Sequence, residues 1–278
     1  MRVFARIMIV FFALLFLGAI GWLGVLLLQD NADKQAMDDL RAMVGTQEIA
    51  VPDAPANTPA AELPPADGGD AAEQPAPTPV PEPPEVLPEY QALYNANPDF
   101  AGWIKIEGTV IDYPVVYTPD NPEKYLYMLF NGEKSSAGVP LIGAGASLFP
   151  QSDTITVYSH NRRNGTMFAM LAKYEDPAFY EEHKQVQFDT RYERGTYEVF
   201  AVCHAKYDKN APEDYFQYYA YPTLPTEEAY DEYVGMIQSM ALYDTGIVPA
   251  FGEKLLLLST CGYFAENGRI VVVARRVG

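Results

Sequence analysis

Cys261 ends an apolar run, LLLLSTC, and Arg269 opens the next, RIVVVARR; seven residues, GYFAENG, separate them. Two such runs across a short Gly-containing loop predict a β-hairpin. Cys261 and Arg269 then face each other at its loop end, where cross-strand neighbours sit roughly 4.5–5.5 Å apart. A guanidinium held there favours thiolate over thiol, and it can stabilise an oxyanion on a carbonyl that sulfur attacks. The same spacing also fits a cysteine packed at a strand end beside a surface arginine. His160 follows TITVYS and precedes NRRNGTMFAML, so it too lies where a strand gives way to a loop. An imidazole at a strand mouth can pass a proton to a leaving amine.

The other candidates carry less chemistry. His204 adjoins Cys203 inside the run TYEVFAVCHA, and neighbouring strand residues point to opposite faces, so the two cannot form a dyad. Cys203 reads as a buried small hydrophobe, and a Cys203–Cys261 disulfide would consume the nucleophile. His183, in YEEHKQ, reads as a solvated helix-end residue favoured by the dipole. No His or Cys pair has metal-ligand spacing, and no P-loop or dinucleotide fingerprint is present. No cofactor and no metal are implied.

Three unlike segments must position these groups. Ile7–Leu28 holds no charge, and its 22 residues would reach roughly 33 Å as a helix, enough for a hydrocarbon core of about 30 Å. Arg2 and Arg6 precede it and Asp30 and Asp33 follow, which predicts a single-pass anchor with a cytoplasmic N-terminus and an extracellular remainder. The alternative is a cleaved signal peptide; the run exceeds the usual apolar region, and no A-x-A-like site follows. Residues 30–44 can continue as a short helix above the membrane. Residues 46–88 hold 12 of the 23 prolines and eight acids without one Lys or Arg. Such a stretch is expected to stay disordered, because it cannot bury enough apolar surface to offset ordering entropy. As extended polyproline II, 43 residues would span on the order of 130 Å, a tether that holds a head off the bilayer. The expected division is 1–29 for cytoplasmic end and anchor, 30–88 for stem and acidic Pro-rich linker, and 89–278 for the folded head.

The head carries net charge near −10 of the chain's −18. That acidity argues against nucleic acid, whose phosphates need a basic face. Runs rich in Val, Ile, Thr and Tyr predict strands at 102–106, 113–117, 154–158, 186–189, 196–205, 254–261 and 269–274. Helical patterns fall at 90–95, 166–174, 177–182 and 226–242; the last opens on Thr226-Glu-Glu, which resembles a capping box. The sum is a mainly β head, an antiparallel barrel or sandwich with helices at its rim.

At the chemistry-bearing residues the sequence resembles the sortase family. LSTC (258–261) with Arg269 eight positions on looks like the sortase T-C…R motif. SHNRRNGTMFAMLAKY (159–174) resembles the histidine motif of class B sortases, and WIKIEGTVIDYPVVY (103–117) resembles the start of their domain. The resemblance implies an eight-stranded β-barrel and a cysteine transpeptidase. In it Cys261 is the nucleophile, His160 the general acid/base and Arg269 the oxyanion and substrate stabiliser. Ser259, Thr260 and Tyr158 become candidates for the substrate groove. The implied partners are surface proteins with a C-terminal sorting signal resembling Asn-Pro-x-Thr-(Asn/Gly), cleaved after Thr. The accepting amine belongs to peptidoglycan or its lipid-linked precursor. Ser159 stands where the family usually has Gly, LIGAGASLFP (141–150) replaces more charged sequence, and Gly262 follows the cysteine. Two other readings are a cell-wall cysteine endopeptidase and a non-catalytic tethered surface-binding or pilus-assembly module.

Overall fold

The computed structural model describes residues 2–44, 82–208, 212 and 215–278. Most of the expected Pro-rich linker, up to residue 81, lies outside the described residues.

Eight strands close into one barrel. In chain order they are β1 (Phe100–Lys105), β2 (Asp112–Val116), β3 (Leu141–Ile142), β4 (Thr154–Tyr158), β5 (Gln185–Thr190), β6 (Thr196–Lys206), β7 (Leu255–Cys261) and β8 (Gly268–Arg276). Around the wall the order is β1-β2-β3-β4-β7-β8-β6-β5, with β5 returning to β1. The predicted strands are present, with ends shifted by one or two residues. The barrel is not wholly antiparallel, because β3 runs parallel to β2 and β7 runs parallel to β4. The short β3 was not anticipated: two residues flanked by Pro and Gly carry too little periodicity to read.

Side-chain alternation divides the wall into two faces. Ile155 and Val157 of β4, Leu256 and Leu258 of β7 and Ile270, Val272 and Ala274 of β8 fill the interior. Leu255, Leu257, Val271 and Val273 point outward, and α4 (Glu227–Ser239) covers them with Tyr230, Tyr233, Val234 and Ile237. Apolar residues therefore run consecutively through β7 and β8, as they do in any strand covered on both faces. In β6 a bulge between Val199 and Ala201 shifts the alternation. Beyond it Cys203 lies under α4, and His204 faces the other way, towards Glu175.

Thr226 caps α4 by accepting the Ala229 amide at 3.2 Å. The expected capping box is only half made, since alanine stands where the reciprocal Glu or Gln is needed. The 166–174 pattern becomes a 3-10 segment, Phe168–Glu175, and α3 follows at Pro177–Glu182. His183 is less solvated than expected: it stacks on Phe179 at 4.0 Å, and its Nδ1 lies 2.9 Å from the Phe179 carbonyl oxygen. The helix expected at 90–95 is a 3-10 turn, Pro88–Tyr90, running into α2 (Gln91–Ala96).

The N-terminal helix α1 runs unbroken from Arg2 to Val44. Its first part exposes large apolar side chains, among them Phe12, Phe16, Trp22 and Leu28. Its last part lies against the barrel, where Met37 joins the interior core cluster.

Leu258 is fully buried in the barrel interior. Leu258→Ala should lower unfolding stability by about 2–5 kcal/mol, read as a lower denaturant midpoint with an unchanged slope.

Candidate active site

Parallel pairing of β4 with β7 sets Tyr158 opposite Ser259. Two residues beyond each partner come His160 and Cys261. Side chains two apart share a face, so both groups continue the outward row of the barrel wall. Antiparallel pairing of β7 with β8 sets Cys261 opposite Arg269, as the spacing predicted. The hairpin loop is one residue shorter than expected, because β8 begins at Gly268. Leu255 to Thr260 are all buried, and Cys261 is the first residue of β7 to face solvent.

These three residues line one cavity of about 550 Å³. Its floor is the outward row of β4, Thr154, Thr156 and Tyr158, with Ser259 of β7. One wall is Leu126 and Tyr127; the other includes Tyr207 and Tyr219. The LIGAGASLFP stretch supplies β3 and then Gly143, Ala144 and Ala146, small residues that keep the floor open. A Cβ on Gly143 would lie 2.8 Å from the Tyr158 ring, so glycine there leaves room for that tyrosine.

Backbone bonds hold the His160 loop at its neck. The Phe168 amide donates to the His160 carbonyl at 3.0 Å, and Asn161 bridges to Met167. The ring Nε2 lies 2.8 Å from the Leu126 carbonyl oxygen. A carbonyl only accepts, so that nitrogen carries a proton and Nδ1 is left as the other site. Tyr127 packs over the ring at 5.4 Å between centroids. Gly138 lets the chain pass behind this carbonyl: its φ is +63, and a Cβ there would sit 2.5 Å from the Leu126 oxygen.

Direct bonds tie the His160 and Cys261 loops together. The Ser159 amide donates to Ser259 oxygen at 3.2 Å, and Thr260 Oγ1 donates to Ser159 oxygen at 2.8 Å. Asn161 Nδ2 donates to the Cys261 carbonyl at 2.8 Å, and Tyr263 Oη donates to the Asn161 carbonyl at 2.9 Å. Arg269 lies over the Tyr207 ring, 5.4 Å from its centroid, and donates to Gly268 oxygen at 2.9 Å. Ser259 and Tyr218 share a hydroxyl–hydroxyl bond of 2.8 Å beneath the floor, where burial pushes the Tyr218 phenol up to about 12.

An exposed thiol, a guanidinium across the ladder from it and an imidazole thus share one mouth. Residues 104–277 match the sortase domain family. The chain belongs to the sortase family. Sortase B of Listeria monocytogenes serovar 1/2a is 29% identical over 196 residues, 69% of this chain and 76% of that protein. A mutant form of Clostridium perfringens sortase B has a structure similar at TM-score 0.61 and 34% identity, covering 68% of this chain and 87% of that one. A Staphylococcus aureus sortase B–substrate complex is similar at TM-score 0.61 and 27% identity, covering 69% and 86%. The chain is thus a class B sortase, and sortases are cysteine transpeptidases.

Of the groove residues expected in this sortase, Tyr158, Ser259 and Thr260 all line the cavity. Ser259 and Thr260 are themselves buried, so they shape the floor more than they face a ligand. The Leu126–Tyr127 wall, the Tyr207–Tyr219 wall and Asn161 were missed. The run YFQYYAY (215–221) was the signal for the second wall, an aromatic cluster too dense for an ordinary solvated loop.

The two cysteines are both free, Cys261 exposed and Cys203 buried. Burial pushes the Cys203 thiol up to about 12. Iodoacetamide should therefore add one group to the native sortase, on Cys261, and two after denaturation. Intact and peptide mass spectrometry check both numbers.

Proposed function

We propose that Cys261 is the nucleophile of this transpeptidase, with His160 as general acid/base and Arg269 as oxyanion and substrate stabiliser. The observation that carries the reading is the pairing of Cys261 with Arg269 across the ladder, at a cavity that His160 also lines. The peptide to be cleaved lies along the cavity, over Tyr158, Ser259 and Thr260. The Cys261 thiol passes its proton to His160 as its sulfur bonds to the carbonyl carbon of Thr in a C-terminal sorting signal. Charge collects on the carbonyl oxygen beside Arg269. The C–N bond then breaks, and the departing amine takes a proton from His160. A peptidoglycan amine, free or lipid-linked, attacks the resulting thioester, His160 takes the proton that the amine sheds and returns it to sulfur, and the Cys261 thiol leaves as the new amide forms. For Nε2 to serve as the acid, the ring must give up its bond to the Leu126 carbonyl, so substrate arrival displaces that bond or recruits Nδ1.

Asn161 is a positioning residue in this scheme. It adjoins His160 in the chain and holds the Cys261 backbone through its amide. The apolar part of α1 is the anchor, with the N-terminus cytoplasmic and the head outside the cell membrane.

Turnover of a sorting-signal peptide tests the assignment. Cys261→Ala should lower it by at least about three orders of magnitude; undiminished turnover would remove the nucleophile assignment. Arg269→Lys keeps the charge without the planar fork, and kcat should fall about 10²–10³-fold. Asn161→Ala should lower kcat roughly 10-fold to 100-fold while KM stays within about threefold, because it misplaces the reacting groups without removing groove contacts. Added amine should shift product from acid to amide; the endopeptidase alternative leaves the product unchanged.

A further inference from the structure

The stem, residues 30–44, was expected as a short helix above the membrane, and it lies on the head through a built interface. Asp33 is 7% exposed, and its carboxylate accepts the Ser135 hydroxyl at 2.7 Å. Arg162 of the His160 loop reaches back to the same helix, 2.9 Å from Asp30 and 3.6 Å from Asp33. Arg41 donates to the Asp112 carbonyl at 2.9 Å and lies over the Tyr113 ring. Met37 is buried in the barrel core cluster, and Leu40, Met43 and Val44 pack against it. Residues 33, 37, 40, 41 and 44 share one face of a helix, so a single face makes most of the contact. Separation would return that apolar stripe to water and leave Arg162 without the carboxylates it faces.

Two consequences follow from the chain path. Val44 and Val86, on either side of the Pro-rich run, both pack against the same core cluster. The described residues on both sides of that run therefore sit on the head. The helix is also continuous from the uncharged run, which ends at Leu28, to the docked stem. At 1.5 Å per residue, Asp30 lies only about 3 Å further along the axis than Leu28. Arg162, bonded to Asp30, is two residues from His160, and two residues span at most about 7 Å.

We propose that the stem is a structural part of the catalytic head and that it holds the His160 mouth at the membrane surface, so that the length of the Pro-rich run does not set the height of the site. The proposal rests on the anchor reading above. It places the groove where a peptide or an amine carrier that is itself membrane-bound can enter it. It also moves the head's effective start from residue 89 to residue 30.

The test uses the full chain in phosphatidylcholine/phosphatidylglycerol vesicles. An Arg163→Cys, Cys261→Ala chain takes a donor dye at the exposed tip of the His160 loop, since Cys203 is buried. Energy transfer to a headgroup acceptor reads height above the bilayer. A second copy of residues 46–81 is then inserted after the first. Doubling a tether would add on the order of 100 Å of reach and abolish transfer; a docked stem leaves transfer unchanged. Asp33→Arg should lose transfer and make it depend on run length, and Asp33→Arg with Arg162→Asp should restore it. Transfer that falls when the run is doubled in the otherwise unaltered chain overturns the docking while leaving the anchor intact. Failure of the chain to co-float with vesicles overturns the anchor, and the proposal with it.

Discussion

The site depends on the register between β4 and β7. These strands are far apart in sequence and run parallel, with Tyr158 opposite Ser259. That pairing carries the histidine loop to the cysteine hairpin. Side chains alternate with period two, so a slip of one residue would turn Cys261 into the barrel and Thr260 out of it. Several features resist that slip. Leu256 and Leu258 belong to the interior core and Leu255 and Leu257 to the layer under α4, so either face would lose its packing. Past the last paired residues, Thr260 and Asn161 extend the pairing with side-chain bonds. His160 and Cys261 thus stand where regular hydrogen bonding ends but geometry is still imposed.

The outer face of this wall has two fates. Over β6, β7 and β8 it is sealed by α4, and Cys203 lies beneath that cover with its thiol held neutral. Towards the loop end of β7 the cover gives way to the cavity, and Cys261 reaches solvent. One side-chain chemistry therefore serves two purposes, set by how far the helix layer extends. The tyrosines of 207–221 stand at the border of these regions. Tyr218 is buried and bonded to Ser259, whereas Tyr207 presents its ring to Arg269. A guanidinium over an aromatic face keeps donors free to point along the ring plane, as the oxyanion role proposed for Arg269 requires.

Much of this was legible because the relevant signals are local. The runs around 154–158, 255–261 and 269–274 are apolar, the first and last rich in β-branched residues, and the Cys261–Arg269 opposition follows from one hairpin. The missed parts are non-local. That β7 runs parallel to β4 follows from the path of some hundred intervening residues, which no periodicity reports. The bond between His160 and the Leu126 carbonyl joins a strand mouth to a loop with no regular element. The two-residue β3 owes its pairing to strands on either side and not to its own sequence.

The stem was expected as a short helix and is one, but its contact with the head was not read. A stretch with four acids and two bases next to an apolar span reads as solvated. Composition hides the spacing. Asp33, Met37, Leu40, Arg41 and Val44 recur at intervals of three and four, the pattern of a helix with a face to bury. Two of those five residues are charged, and the head supplies a partner to each: Arg162 and Ser135 for Asp33, the Asp112 carbonyl and the Tyr113 ring for Arg41. A charged residue on a helical stripe argues against burial only when nothing complementary waits for it. Here Arg162 is spaced two residues from His160, so the contact that seats the stem also braces the loop that carries the imidazole.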